Sequence, residues 1–338
     1  MSPSPGFIEL PGRGKLLFEG PQALWFLDQL VSNKVVDLDA GLVMDAMLLT
    51  PNGRITAVLR ILATEQGAAV DADPAQGRPL LDFFQMRIFA TKVQISDVSQ
   101  ELETVRIVGD EAVRLAENAL DISALAAGPG MAGAGATGVQ FDGGVALGLS
   151  EPLNGVDLWI HRENKQDLLS KLQESGATAL SEPEYDSLRI AAGVAMFGRD
   201  FDDTFLPQEA AMERAVHFEK GCYLGQEAVA MTQRGRVKRR LRHLEFKGKA
   251  VAGPITFEGE ESGQVTSSTQ PGSRPEGHSP DGDGFGIGAV KTNVALGAEV
   301  SVQGSDGAAS IAVVQDLPGT TYGPHVPSAR ELRERLQG

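Results

Sequence analysis

Residues 206–227 read LPQEAAMERAVHFEKGCYLGQE, and the last eight, KGCYLGQE, are the densest mixture of reactive side chains in the chain. Lys220, Cys222, Tyr223, Gln226 and Glu227 bring together an ammonium, a thiol, a phenol, an amide and a carboxylate. Gly221 and Gly225 bracket them, and glycine permits a tight turn or a close approach of backbone to a neighbour. Cys222 is the only cysteine among 338 residues. An intrachain disulfide is therefore impossible, and so is a zinc or iron–sulfur site built from this chain's cysteines alone. An ammonium beside the sulfur would favour the thiolate, the form that acts as nucleophile or metal ligand. A lone buried cysteine is equally a small hydrophobe. Of the five histidines only His217 lies close in sequence, and no HExxH, CxxC or clustered ligand spacing occurs, so no resident metal is expected. Pro207 suits the first turn of a helix, which predicts a helix over 207–218.

Upstream of this stretch, strands and helices alternate. Residues 7–18 predict two strands around Pro11-Gly12. Leu24, Leu27, Leu30 and Val31 predict an amphipathic helix within 20–33. Residues 42–50 and 54–62 predict a hairpin turning on Asn52-Gly53. Residues 80–88 suit helix or strand. Strands are expected in 92–108, a helix in 110–120, a strand in 156–161, and helices in 164–173 and 183–196. Residues 124–138, rich in Gly and Ala, predict a loose loop. Asp71, Asp73 and Asp82 offer carboxylates that suit a shared site or solvated turns. Trp25, Phe26, Phe83, Phe84 and Phe89 suit the core.

Downstream of residue 240 the composition changes. Six short strand candidates, from HLEFKG at 243 to ASIAVVQ ending at 315, are separated by Gly, Ser, Asp and Pro. That rhythm predicts a small β-barrel. Residues 270–284 read as a polar loop and the last dozen as a short helix or tail. The division expected is 1–240 and 241–330, in an α+β chain.

The net charge of −15 argues against a nonspecific nucleic-acid binder. The stretch 234–247, RGRVKRRLRHLEFK, runs against that charge and suits either a solvated basic strand or an anion site, with weak RNA contact through 234–242. No apolar run reaches the roughly 20 residues that span a bilayer, and no secretion signal is read at the N-terminus. A cytoplasmic protein that does not enter membranes is expected.

KGCYLGQE resembles the signature of the YgfZ family, folate-binding relatives of the glycine cleavage system T protein. LLFEGPQALWFLDQLVSNKV at 16–35, LLTPNGRI at 48–55, LRIAAGVAMFGRDF at 188–201 and RGRVKRRL at 234–241 fit the same family in the same order. The resemblance implies a ring-like, aminomethyltransferase-like folate-binding module followed by a barrel. It implies tetrahydrofolate or a one-carbon derivative as cofactor. It also implies a role in assembly or repair of iron–sulfur clusters in partner enzymes or with cluster assembly proteins, tRNA-modifying enzymes included. On that reading Cys222 and Lys220 are catalytic, while Arg189, Arg199, Tyr223, Gln226 and Glu227 bind the cofactor, either Arg189 or Arg199 taking its glutamate tail. One sequence difference bears on the reaction. Aminomethyltransferases resemble a Gly-Gly-Ile-x-Asp-Asp hairpin, and here the two acidic places are Ala57 and Val58. A folate-dependent aminomethyl- or methyltransferase and a noncatalytic folate-binding scaffold are the alternatives.

Overall fold

The structure is a computed structural model that describes residues 5–74, 76–125, 136–149, 153–234, 237–270, 284–305, 307 and 309–318. The first two thirds build strands β1 (Gly6–Leu10), β2 (Arg13–Glu19), helix α1 (Ala23–Asp28), β3 (Leu42–Leu49), β4 (Ile55–Thr64), β5 (Gly67–Pro74), α2 (Gly77–Gln85), β6 (Gln94–Asp97), β7 (Leu102–Val108) and α3 (Ala112–Leu120). Then follow β8 (Ala136–Phe141), β9 (Gly144–Leu149), β10 (Gly155–His161), α4 (Lys165–Glu174), β11 (Thr178–Ala179), α5 (Glu182–Ala191) and α6 (Gln226–Arg234). Eleven strands form one sheet in the order β11-β1-β7-β10-β9-β8-β3-β4-β5-β2-β6. The link between β8 and β3 joins two halves. Helices α1 and α2 cover the outer face of the β2–β6 half, with Phe18, Phe26 and Phe84 at its centre. Helices α3 and α4 cover the other half around Val105, Ile107 and Leu158.

The inner faces of the two halves are charged, and the register shows why. Residues directly opposite one another on paired strands point to the same face. Lys15 on β2 lies opposite Asp71 on β5, Asp71 opposite Arg60 on β4, and Arg60 opposite Asp45 on β3. One row across four strands thus alternates in sign. On the other half Arg106 lies opposite Asp157. Arg60 crosses between halves to Asp157 at 2.9 Å, and Lys15 reaches Thr104 Oγ1 at 2.7 Å.

Strands β12 (Arg239–Phe246), β13 (Gly253–Phe257), β14 (Glu260–Ser268), β15 (Phe285–Lys291), β16 (Glu299–Gln303) and β17 (Ala309–Gln315) close a barrel in the order β12-β15-β14-β13-β16-β17. All six strands expected after residue 240 are present, and Leu244, Phe246, Ile255 and Val302 fill the interior. The barrel docks on the module through a second core that unites Met47, Ile55, Ile190, Phe201, Leu241 and Ile287. The fold class expected from the sequence, mixed α and β with a small C-terminal barrel, is the one observed.

Several local expectations differ. Residues 207–218 form turns and one 3-10 turn at Glu213–Ala215, not a helix. Ala211 takes a positive φ of 57°, and the carbonyl of Glu209 is used by the Leu241 N–H of β12. Tertiary hydrogen bonding here outcompetes helical propensity. Helix α1 is shorter than 20–33, because the carbonyls of Asp28, Val31 and Asn33 accept from the Lys220 ammonium instead. Phe26 and Phe84 are buried, but Trp25 is 48% and Phe89 80% exposed. Trp25 lies about 100° around the helix from Phe26 and so faces outward. Residues 80–88 are mostly helix, and 67–74, 144–149 and 136–141 are strands the sequence reading did not mark. Within the expected 124–138 loop, 126–135 lie outside the described residues and Ala136 already begins β8. The terminal helix, most of the 270–284 loop, His278 and His325 also lie outside the described residues.

Candidate functional site

A cavity of about 770 Å³ opens between the two sheet halves and the 194–214 segment. Its wall draws on 8–10 of β1, Asp45 of β3, 58–60 of β4, Asp73 of β5, Arg106 of β7, α5, and Met196, Phe197, Phe201, Met212 and Arg214. Apolar and sulfur-bearing side chains alternate there with paired charges. A concave space of this size, with a few directed polar groups, suits a drug-sized ligand.

The charged part is a connected network. Asp157 is fully buried and accepts from Arg106 Nε at 2.6 Å, Arg106 Nη2 at 2.7 Å and Arg60 Nη1 at 2.9 Å. Burial alone would raise its carboxyl, but the two guanidiniums outweigh that and hold it far below the usual carboxylate range. Asp71 behaves alike: burial is overcome by Arg13 and Lys15, the latter at 2.6 Å. Asp45, against Arg60 at 3.0 Å, is also held low despite burial. Asp73 is the exception. Among the described residues its carboxylate meets only Arg13 Nη1, at 3.4 Å, and burial pushes its carboxyl up. Asp71 and Asp73 therefore share a site, whereas Asp82 pairs with Arg78 on the exposed face of α2.

The expected site residues divide between three places. Arg199 lines the cavity, but both its terminal nitrogens donate to Asp186, at 2.9 and 2.6 Å. Arg189 does not line it. It is fully buried and donates to Asp186, Asp200, the Val194 carbonyl and Ser267 of β14, so it ties the module to the barrel. Residues 220–227 form the third place, and none of them lines the cavity.

Within that motif Cys222 is exposed. Lys220 is buried, and its ammonium donates to the carbonyls of Asp28 at 2.6 Å, Asn33 at 2.7 Å and Val31 at 3.1 Å, with Asp28 Oδ1 at 3.2 Å. Burial lowers its pKa, against the pull of Asp28. Tyr223 is buried under it, 5.4 Å from ammonium to ring centre, and burial pushes the phenol up to about 12. Gln226 Nε2 donates to the Lys220 carbonyl at 3.3 Å, and Glu227 is exposed in the first turn of α6. Gly225 has a φ of 84°, and a Cβ there would stand 2.5 Å from the Thr50 carbonyl, so the motif seats the β3–β4 hairpin turn. His217 Nδ1 accepts from the Glu219 N–H at 3.2 Å.

Asn33 links motif to cavity. Its carbonyl accepts from Lys220, and its amide donates to the carbonyls of Asp45 at 2.9 Å and Arg214 at 3.4 Å. Both of those residues line the cavity. The sequence reading did not mark Asp45, Arg60, Arg106, Asp157 or Arg214. The signal for the first four was cross-strand register, which needs the partner strands to be known, whereas Arg214 sits on the 3-10 turn at Glu213–Ala215. On the basic stretch, Arg239 stacks on Phe205 at 3.7 Å, Arg240 is buried against Glu213, Arg242 pairs with Asp316 and Lys247 with Glu299. Much of its charge is thus matched within the chain. Among the described residues no helix is long and apolar enough to cross a membrane.

No family model matches the chain. An aminomethyltransferase of Rubrobacter xylanophilus is 28% identical over 274 residues, covering 78% of this chain and 72% of the relative. An aminomethyltransferase of Halothermothrix orenii is 24% identical over 308 residues, covering 87% and 82%. A chloroplastic protein of Arabidopsis thaliana, named provisionally as a transferase, is 25% identical and spans 95% of this chain and 72% of itself. Among solved structures, the glycine cleavage system aminomethyltransferase T from Bartonella henselae superposes with a TM-score of 0.78 at 20% identity, over 94% of this chain and 88% of that one. The chain is a homologue of proteins named aminomethyltransferase and has the fold of the glycine cleavage system T enzyme.

Proposed function

We propose that the chain binds a reduced folate, tetrahydrofolate or a one-carbon derivative, in the central cavity, and works in the assembly or repair of iron–sulfur clusters in partner enzymes rather than in aminomethyl transfer. The observation that carries this reading is Val58. It lines the cavity where the resemblance to transferases expects an aspartate, while its neighbour Ala57 is buried in the core. An isopropyl group can neither orient nor protonate a folate nitrogen. The cavity itself fits the group. Val58, Phe197, Phe201 and Met212 offer apolar surface to a flat ring, and Asp45, ionised beside Arg60, offers an acceptor to ring or amino N–H groups.

When bound, a reduced folate supplies a one-carbon carrier and an electron-rich ring. The chain's own residues do the rest. The paired charges hold fixed dipoles around the ligand without reorganising. Lys220 and Asn33 brace the wall behind Asp45 and Arg214. Cys222, exposed and outside the cavity, is available to iron or a thiol of a partner protein. One thiolate supplies one ligand, so the cluster's other ligands come from the partner.

The test is anaerobic calorimetric titration with tetrahydrofolate, followed by a Cys222→Ser variant in an assay of cluster-dependent partner enzymes. Saturable binding that survives the substitution, with lowered partner activity, is expected. Absence of folate binding removes the cavity reading, and full partner activity with the Cys222→Ser variant removes the thiol.

A second reading, aminomethyl transfer, is favoured by the names of the relatives and by Asp73, a cavity carboxyl that burial pushes above its ordinary value. It predicts conversion of tetrahydrofolate to methylenetetrahydrofolate in the presence of an aminomethyl donor, abolished by Asp73→Asn. The first reading predicts no such turnover.

A further inference from the structure

Five arginines line the cavity: Arg13, Arg60, Arg106, Arg199 and Arg214. Four of them are committed to carboxylates. Arg13 holds Asp71 and Asp73, Arg60 holds Asp45 and Asp157, Arg106 holds Asp157, and Arg199 holds Asp186 through two parallel bonds. Arg214 is different. Its Nε is closed to solvent and has no hydrogen-bond partner among the described residues. The carboxylates around it are already used. Glu213, next in sequence, faces the other way and is held by both terminal nitrogens of Arg240 at 2.5 and 3.1 Å. Asp45 contributes to the field at Arg214 but gives its oxygens to Arg60, at 3.0 and 3.5 Å.

A guanidinium stays charged at any physiological pH, so it cannot escape burial by losing a proton. Arg214 is half-buried, and a partly desolvated cation with an unmet donor is costly unless an anion completes it. The backbone of Arg214 is meanwhile fixed, because its carbonyl accepts from Asn33 and its turn is pinned by the Ser32 hydroxyl on the Ala215 carbonyl at 2.5 Å. Arg214 thus lines an open cavity with a guanidinium that forms no ion pair among the described residues, and its terminal nitrogens are the part a ligand can reach.

We infer that Arg214 is the anion anchor of the cavity and takes a carboxylate of the bound ligand. Resting on the folate reading, that carboxylate belongs to the glutamate tail. The anchor is then neither Arg189, which is sealed into the barrel contact, nor Arg199, whose fork is filled by Asp186. A carboxylate matches the planar fork and supplies the missing charge, which a neutral ring carbonyl does not.

The experiment compares two ligands, tetrahydrofolate and tetrahydropteroate, which lacks the glutamate, by anaerobic calorimetry on the full chain and on Arg214→Gln and Arg214→Lys. Thermal melts confirm that each variant is folded. Wild type is expected to bind tetrahydrofolate more tightly. Arg214→Gln should weaken tetrahydrofolate roughly ten- to a hundredfold, the range of a hydrogen bond to a charged group, and leave tetrahydropteroate unchanged. Arg214→Lys should recover part of the loss. Equal weakening of both ligands, or of neither, overturns the anchor while leaving folate binding intact. If wild type binds neither ligand, the folate reading fails separately. The anchor is then judged with glutarate as a simple dicarboxylate probe: saturable thermal stabilisation lost in Arg214→Gln supports it, and none overturns it.

Discussion

Replacing Asp157 with Asn isolates what the charged faces contribute to the fold. The amide keeps the shape but removes a charge that three guanidinium N–H groups address, at 2.6, 2.7 and 2.9 Å. Arg60 retains Asp45, so its loss is partial. Arg106 keeps the Tyr185 hydroxyl, at 2.8 Å, and at most the one amide oxygen, and becomes a largely buried cation without a carboxylate. Removing one partner of such a pair costs about 3–5 kcal/mol. For a chain of this size that corresponds to a fall in Tm on the order of 10 °C. Differential scanning calorimetry near neutral pH measures it. The sign with pH is fixed too. Because the Asp157 pKa is held far below its unfolded value, its stabilisation is complete above about pH 4 and lost only as pH falls through the folded value. The gap between wild type and Asp157→Asn should therefore narrow on strong acidification. A companion Asp157→Leu/Arg106→Met pair, which removes both charges, should recover much of the loss. If Asp157→Asn melts within a degree or two of wild type, the network does not hold the two sheet halves together and the reasoning is wrong.

Three further outcomes follow from the motif and the barrel contact. Lys220→Met should destabilise by about 3 kcal/mol, since three carbonyls in the 28–33 turn lose their donor, with urea unfolding as the readout. Gly225→Ala should cost at least ~2 kcal/mol, because the left-handed backbone disfavours a Cβ and the Thr50 carbonyl stands in its way; hydrogen exchange should loosen first at the β3–β4 turn. Arg189→Gln should lower Tm and uncouple barrel from module in limited proteolysis, because the guanidinium joins Asp200 to Ser267 of β14.

The barrel was legible in the sequence because turn residues punctuate it at short intervals. The β3–β4 hairpin was legible from Asn52-Gly53. Strand β5 was not: GAAVDADP has little branched or aromatic side chain, and its two aspartates look solvated until Lys15 and Arg60 are seen opposite Asp71, and Arg13 reaching both. The cavity was hidden for the same reason. Arg60, Arg106 and Asp157 meet only when strands distant in sequence pair in register, and no local spacing reports that. The helix expected at 207–218 failed because its backbone groups serve neighbours, such as the Leu241 N–H on the Glu209 carbonyl. The motif at 220–227 lies against the end of α1 and the β3–β4 turn, and the roles within it depend on direction. The Lys220 ammonium turns to the end of α1, and only Cys222 and its exposed neighbours face outward.

The strand order of the large sheet has a consequence for how the molecule meets others. The sheet ends on β11, two residues long, and on β6, four residues long, while the barrel closes on itself. Beyond the end of β6, the Lys15 carbonyl accepts from the Val98 N–H, and the Lys15 N–H donates to Ser99 Oγ at 2.9 Å. The margins therefore offer little unpaired main chain to an incoming strand, the usual route to edge-to-edge aggregation or strand exchange. A fold with so many strands is in this way kept from polymerising through its own ladders, and a partner must recognise it by side chains and turns.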